Sequence, residues 1–186
     1  MSERIVVCGI AGSLRAASYN RALLRAAVEL APAEMEIRIF DRVGELPLFN
    51  EDVEAAGTPE PVAALRAAIG EADALLVATP EYNHGVPGVL KNAIDWASLP
   101  PRGSVLDRKP AAILGASPGV TGTARAQTQL RQAFGFSNVR ALPQPEILVY
   151  RAHEKFDAEG RLTDAKTRDF LGKLLVELLE WTRRLS

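Results

Sequence analysis

Four polar residues crowd one short stretch of this 186-residue chain. Ser13, Arg15, Ser18 and Asn20 lie within Gly9-Ile10-Ala11-Gly12-Ser13-Leu14-Arg15-Ala16-Ala17-Ser18-Tyr19-Asn20. Two hydroxyls, an amide and a guanidinium can together satisfy an anion carrying nearly two negative charges. A strand-to-helix turn strengthens the case, because the first N–H groups of a helix lack intrahelical partners and sit at the positive end of its dipole. A single serine at such a turn would be an N-cap, and a single arginine a solvated charge. The gathering of four points to a bound phosphate.

Two further stretches carry chemistry-bearing residues. Pro80-Glu81-Tyr82-Asn83 follows the most apolar run of the chain, and its aromatic and polar side chains could face a flat ligand. Gly115-Ala116-Ser117-Pro118-Gly119 satisfies G-x-S-x-G, the nucleophile elbow of serine hydrolases, with Glu146 and His153 following in the right chain order. That elbow needs the backbone N–H of the residue after the serine. Here the residue is Pro118, which has none, and losing such a donor costs on the order of 100- to 1000-fold in rate. The hydrolase reading using Ser117 is therefore the weakest one. A phosphatase loop fails on count: Arg15 stands seven residues after Cys8, not six. Cys8 itself falls in an apolar run, where a thiolate is disfavoured, and reads as core.

The elements that must position these residues follow from period and breakers. Residues 4–9, 35–40, 74–79, 111–116 and 147–150 read as strands. Residues 20–30, 59–71, 87–98, 122–134 and 163–185 read as helices, and 42–58 as an irregular surface excursion. Strand and helix alternate, and the central strands are apolar throughout. Such strands are buried on both faces, which requires helices on both sides of a parallel sheet. No repeat or linker interrupts the pattern, so residues 1–186 form one doubly wound α/β domain. Its ligand is expected outside the carboxyl ends of the strands, in the loops beginning at Ile10, Pro80 and Ser117.

Composition narrows the class. Apolar residues are 47% and charged residues 24%, with a net charge of −1, so no excess of cations is available for a broadly basic nucleic-acid surface. One cysteine and two histidines make a zinc or His-rich metal site an unsuitable reading. No apolar run approaches the roughly 20 residues that span a bilayer. The first residues lead into a strand without a signal peptide, and a cytoplasmic location is expected.

The kind of phosphate can be narrowed too. The G-x-x-x-x-G-K-[ST] loop is absent, and Gly9 and Gly12 fill only two positions of the dinucleotide fingerprint. Asp41, ending the second strand, could serve as a ribose-binding acid or be a turn residue. A mononucleotide with a terminal phosphate fits better, and FMN in a flavodoxin-like sheet is the natural candidate.

At this point the run G-S-L-R-x-x-S-x-N at residues 12–20, with Pro80 to Trp96 (PEYNHGVPGVLKNAIDW), resembles the NADPH-dependent FMN reductase family. It is most similar to the bacterial quinone and chromate reductase branch. Gly122 to Gln127, Leu130-Arg131-Gln132 and Pro145-Glu146 extend the likeness over nearly the whole chain. The resemblance implies a flavodoxin-like three-layer sandwich whose five-stranded parallel sheet runs 2-1-3-4-5. It implies FMN as cofactor, with the phosphate at Ser13, Arg15, Ser18 and Asn20 and the ring against Pro80, Glu81, Tyr82 and Asn83 and against Ser117, Pro118 and Gly119. Glu81 holds either the flavin or its own loop and an oligomer contact. His84 is incidental, since hydride transfer needs no protein base. NADPH or NADH would be the transient donor and a quinone the acceptor in a ping-pong cycle, with chromate, azo compounds or free flavin as further acceptors. A homodimer or homotetramer is implied, with Trp96 at a subunit contact. The rival reading is a non-enzymatic flavin electron carrier or redox-responsive module, which the near-neutral charge does not favour.

Overall fold

The computed structural model describes residues 4–100 and 103–185. Its elements follow in the order β1 (Ile5–Ala11), α1 (Tyr19–Leu30), β2 (Met35–Phe40), α2 (Glu51–Ala56), α3 (Glu60–Gly70), β3 (Ala74–Ala78), α4 (Gly88–Ala97), β4 (Pro110–Ala116), α5 (Ala124–Phe136), β5 (Arg140–Ala141), β6 (Ile147–Val149) and α6 (Ala165–Leu185). All strand pairings are parallel, and the sheet runs β2-β1-β3-β4-β5, with β6 also on β4. The flavodoxin-like order stands. The reversal of direction falls between β1 and β3, which is where such sheets bind ligands.

Side chains of the central strands alternate between two cores, as the period of two requires. Ala74, Leu76 and Ala78 of β3 join one cluster with α1 and α6, while Leu75 and Val77 join the other with α3, α4 and α5. Every residue of β3 and β4 is buried. Helices therefore cover both faces, and the apolar runs of the sequence need no alternation because both faces are inside.

The fifth strand position departs from the single strand expected at 147–150. It is occupied by two short pieces, β5 beside the start of β4 and β6 beside its end. Between them lie Pro143 and Pro145, which have no N–H to give a ladder. The excursion at 42–58 also carries more order than expected. A 3-10 turn at Val43–Glu45 buries Val43, and α2 is capped by Asn50, whose side chain accepts from Asp52 N.

Trp96, expected at a subunit contact, is fully buried inside the chain. Its Nε1 donates to Pro47 O at 2.8 Å, and its ring meets Phe49 edge-on at 5.1 Å. Asn92 Nδ2 donates to the same carbonyl, and Asn92 Oδ1 accepts from Phe49 N at 2.7 Å. The excursion folds back over α4 and gives Trp96 an intramolecular partner for its only donor. Cys8 is core as expected: burial pushes its thiol up to about 12, against a smaller opposing pull from Lys109.

Candidate functional site

β1 ends at Ala11, and Gly12 N donates to Ala78 O at 2.9 Å, tying the start of the first loop to the end of β3. A Cβ on Gly12 would lie 3.0–3.3 Å from Leu90 and Pro80, so the close approach of the two loops favours glycine there. The chain then turns freely into α1. Among the described residues, the backbone N–H groups of Ser13, Leu14, Arg15, Ala16 and Ala17 donate to nothing. Ser18 caps α1, its Oγ accepting from Arg21 N at 3.3 Å and its carbonyl from Ala22 N. The cap function and the anion function are compatible, because the hydroxyl hydrogen of Ser18 is still free to donate.

Ser13, Arg15, Ser18 and Asn20 line one small cleft with Pro80, Glu81, Tyr82, Ser117 and Pro118. Thus nine of the eleven residues expected from the sequence come together at the carboxyl ends of β1, β3 and β4. Ser13 and Ser18 are buried, and Arg15 is exposed with no hydrogen bond or ion pair among the described residues. Ser13 Oγ and Tyr82 OH stand 3.5 Å apart across the cleft. Asn20 is more committed than its sequence position suggests. Its Nδ2 donates to Ala116 O and its Oδ1 accepts from Ala116 N, both at 2.9 Å, so it clamps the helix start onto the end of β4. One amide hydrogen remains for a ligand.

The second loop is a scaffold. Tyr82 and Gly85 exchange backbone hydrogen bonds around Asn83 and His84, whose φ values of 49° and 63° make a tight turn of the hairpin kind. Asn83 and His84 sit exposed at its tip, and Asn83 does not line the cleft. Glu81 resolves toward holding its loop. Its carboxylate is nearly buried, accepts from the N–H groups of Arg125 and Ala126 at 2.9 and 3.1 Å, and meets the Arg125 guanidinium at 3.3 Å. A negative group at the first N–H groups of α5 is stabilised by them and by the helix dipole.

The third loop is closed on itself. Gly119 N donates to Ser117 Oγ at 3.1 Å, and Ser117 N donates to Val149 O at 2.9 Å. Gly119 is exposed and lies outside the enclosed part of the cleft. The elbow geometry is not assembled: His153 Nε2 faces Glu154 at 3.6 Å, and Glu146 lies 3.9 Å from Arg131. Among the described residues no base reaches Ser117, and nucleophilic catalysis requires one within hydrogen-bond reach. No group of metal-ligating side chains occurs among the described residues, and no described helix is long and apolar enough to cross a membrane.

Sequence reasoning missed Tyr19 and Ala116, which also line the cleft, while Pro118 lies there within the expected stretch from Ser117 to Gly119. Tyr19, the first residue of α1, gave a signal only by its place in the loop motif. Roomier cavities of about 460 and 510 Å³ lie elsewhere, against α1 and β2 and along β6. Volume alone does not select the site. The cleft that joins three strand ends has the donors.

The model of the NADPH-dependent FMN reductase family matches residues 5–154. Over 185 residues the chain is 53% identical to an NAD(P)H-dependent FMN reductase of Pseudomonas aeruginosa, covering 100% of this chain and 99% of the relative. It is 42% identical over 183 residues to a quinone reductase of Pseudomonas putida, covering 98% and 97%. In three dimensions it is similar to FerB, a flavoenzyme NAD(P)H:(acceptor) oxidoreductase from Paracoccus denitrificans. The TM-score is 0.88 at 37% identity, over 97% of this chain and 98% of that one. With its sheet order, its loop motifs and these likenesses, the chain belongs to the NADPH-dependent FMN reductase family of oxidoreductases.

Proposed function

We propose that this chain oxidises NADPH or NADH and reduces a quinone, with FMN as its bound cofactor. The observation that carries this reading is the loop from Ser13 to Ala17. The five uncommitted backbone N–H groups of Ser13 to Ala17 share one loop with the buried hydroxyls of Ser13 and Ser18 and the unpaired Arg15, and these side chains line one cleft at the end of a central strand. This donor set suits a phosphate monoester: hydroxyl and amide donors satisfy its oxygens, and the guanidinium balances its charge. The enclosed part of the cleft measures about 40 Å³, room for a phosphate head and not for a tricyclic ring. The ring would therefore lie outside it, against Pro80, Tyr82 and the loop from Ser117 to Gly119. Bound FMN supplies the capacity to accept a hydride from a nicotinamide and to pass two electrons to an acceptor.

The chain's own contribution is binding and orientation. Asn20 holds the phosphate loop against β4, and Glu81 locks the loop after β3 to the start of α5. Both surfaces that would flank the ring are thereby rigid before anything binds. No residue needs to act as acid or base, and His84 at the turn tip keeps no role in the chemistry. A ring held outside the enclosed part of the cleft would be open to donor and acceptor in turn, which favours a ping-pong cycle. The same openness admits chromate, azo compounds and free flavin as acceptors beside quinones. We further infer one domain over residues 1–186, a cytoplasmic location and a homodimer or homotetramer.

Titration of apoprotein with FMN, followed by flavin fluorescence, tests the cofactor. Initial rates of NADPH and NADH oxidation with a benzoquinone should then give parallel double-reciprocal lines. A folded, colourless protein that leaves FMN fluorescence unchanged would overturn the reading.

A further inference from the structure

We propose that the cleft between α1 and the end of β2 seats the phosphorylated adenosine half of the nicotinamide donor, with Arg21 and Arg25 meeting its phosphate. The cleft holds about 460 Å³, and Leu14, Leu24, Phe40 and Val43 give it apolar walls. Leu14 is 54% exposed and Ile39 is 38% exposed, so this apolar surface faces solvent beside the phosphate loop. Arg21 and Arg25 stand one turn apart on α1 and share a face. Neither guanidinium has an acid partner among the described residues. The end of the Arg25 side chain lies near Gly160, where an added Cβ would stand 3.3 Å from Nη2. Two carboxylates also line the cleft. Glu45 is already matched by Arg42 Nε at 2.8 Å, while Asp41 is unpaired. Arg42 is also held by Glu60 at 2.6 Å, so the charges of Arg21, Arg25, Asp41 and Glu45 that line the cleft sum to zero.

This combination fits a phosphorylated adenosine. The guanidiniums offer forked donors to phosphate oxygens, the apolar walls take a purine, and Asp41 accepts from a ribose hydroxyl or the adenine amino group. The place fits as well. The cleft lies outside the carboxyl ends of β1 and β2, where doubly wound dinucleotide-binding sheets hold the adenosine ribose. Ser13 lines both this cleft and the smaller phosphate cleft, so the two are contiguous. A donor with a 2′-phosphate gains contacts here that one with a free ribose diol does not, which makes the cleft a determinant of NADPH over NADH.

The inference rests on the proposed use of a nicotinamide donor, and its test is separable from the FMN titration. FMN-loaded protein is titrated calorimetrically with adenosine 2′,5′-bisphosphate and with 5′-AMP, and FMN content is read by absorbance on each sample. The bisphosphate is expected to bind once per chain, roughly tenfold or more tighter than 5′-AMP. Arg21→Ala and Arg25→Ala should each weaken it by roughly tenfold with FMN retained, and Arg25→Lys should recover part of the loss. The KM for NADPH should rise in the same variants while that for NADH changes less. Wild-type protein that holds FMN and ignores the bisphosphate would overturn the proposal. So would unchanged binding in the double variant Arg21→Ala/Arg25→Ala. If apoprotein refuses FMN, the functional reading fails by its own titration, whatever the bisphosphate does.

Discussion

From Ser13 to Ala17, five backbone N–H groups find no partner among the described residues. Across the cleft, Tyr82 and Gly85 exchange hydrogen bonds, Thr79 donates to Pro80 O and Leu114 O, and the Glu81 carboxylate takes two N–H groups of α5. The difference is one of division of labour. A loop whose donors are satisfied internally holds its shape and presents a surface. A loop whose donors are free must have them met by water or by a ligand, and an anion suits a surplus of donors. The rigid loop holds its place, and the open loop keeps donors to offer.

The comparison breaks hardest on the rigid side. Trp96→Ala removes a fully buried indole and its bond to Pro47 O, and should cost about 3–5 kcal/mol in denaturant unfolding. A cost near zero would mean that the 42–58 excursion does not hold α4 in place. Asn20→Ala is next, because it orphans the buried N–H and carbonyl of Ala116. About 2–4 kcal/mol of stability should go, with the melting temperature as the readout. If FMN affinity collapses while stability is unchanged, Asn20 is a ligand-binding residue and not a clamp.

Arg15→Ala should do the opposite. Exposed and unpaired, it should leave unfolding within about 0.5 kcal/mol of wild type while weakening FMN by about 1.5–3 kcal/mol in a fluorescence titration. Equal effects on folding and binding would erase the contrast between the two loops.

The smallest effect lies in the core. The Cys8 thiol is raised from 9.0 to about 12 by burial, so the folded state disfavours the thiolate. Its contribution to stability is complete below pH 9 and is lost as pH rises from 9 towards 12, where the unfolded chain ionises first. Wild type should therefore lose stability faster than Cys8→Ala as pH rises above 9, while at neutral pH iodoacetamide should not label folded protein.

Much of this was legible in residue order. The runs at 74–79 and 111–116 are apolar on both phases of a two-residue period, so they had to lie between helices. The gathering of Ser13, Arg15, Ser18 and Asn20 in one cleft was legible from their spacing around a strand-to-helix turn. What stayed hidden were partners distant in sequence. Glu81 and Arg125 are 44 positions apart, and Asn20 and Ala116 are 96 apart. Trp96 looked like an interface residue because an indole N–H needs an acceptor, and nothing local identified Pro47 O as that acceptor. The fifth strand was expected whole, although Pro143 and Pro145 stood in the sequence as a reason for its interruption.

Residue order by itself determined which elements form, that the sheet is covered on both sides, and which loop gathers hydroxyl, amide and guanidinium groups. These depend on periodicity, on glycine and proline, and on the chemistry of single side chains, all of which act over a few positions. Tertiary structure alone decided which polar groups are already spent and which are free. A hydrogen bond between remote segments satisfies a group only once the chain has brought its partner within about 3 Å, and short-range pattern carries no record of that meeting.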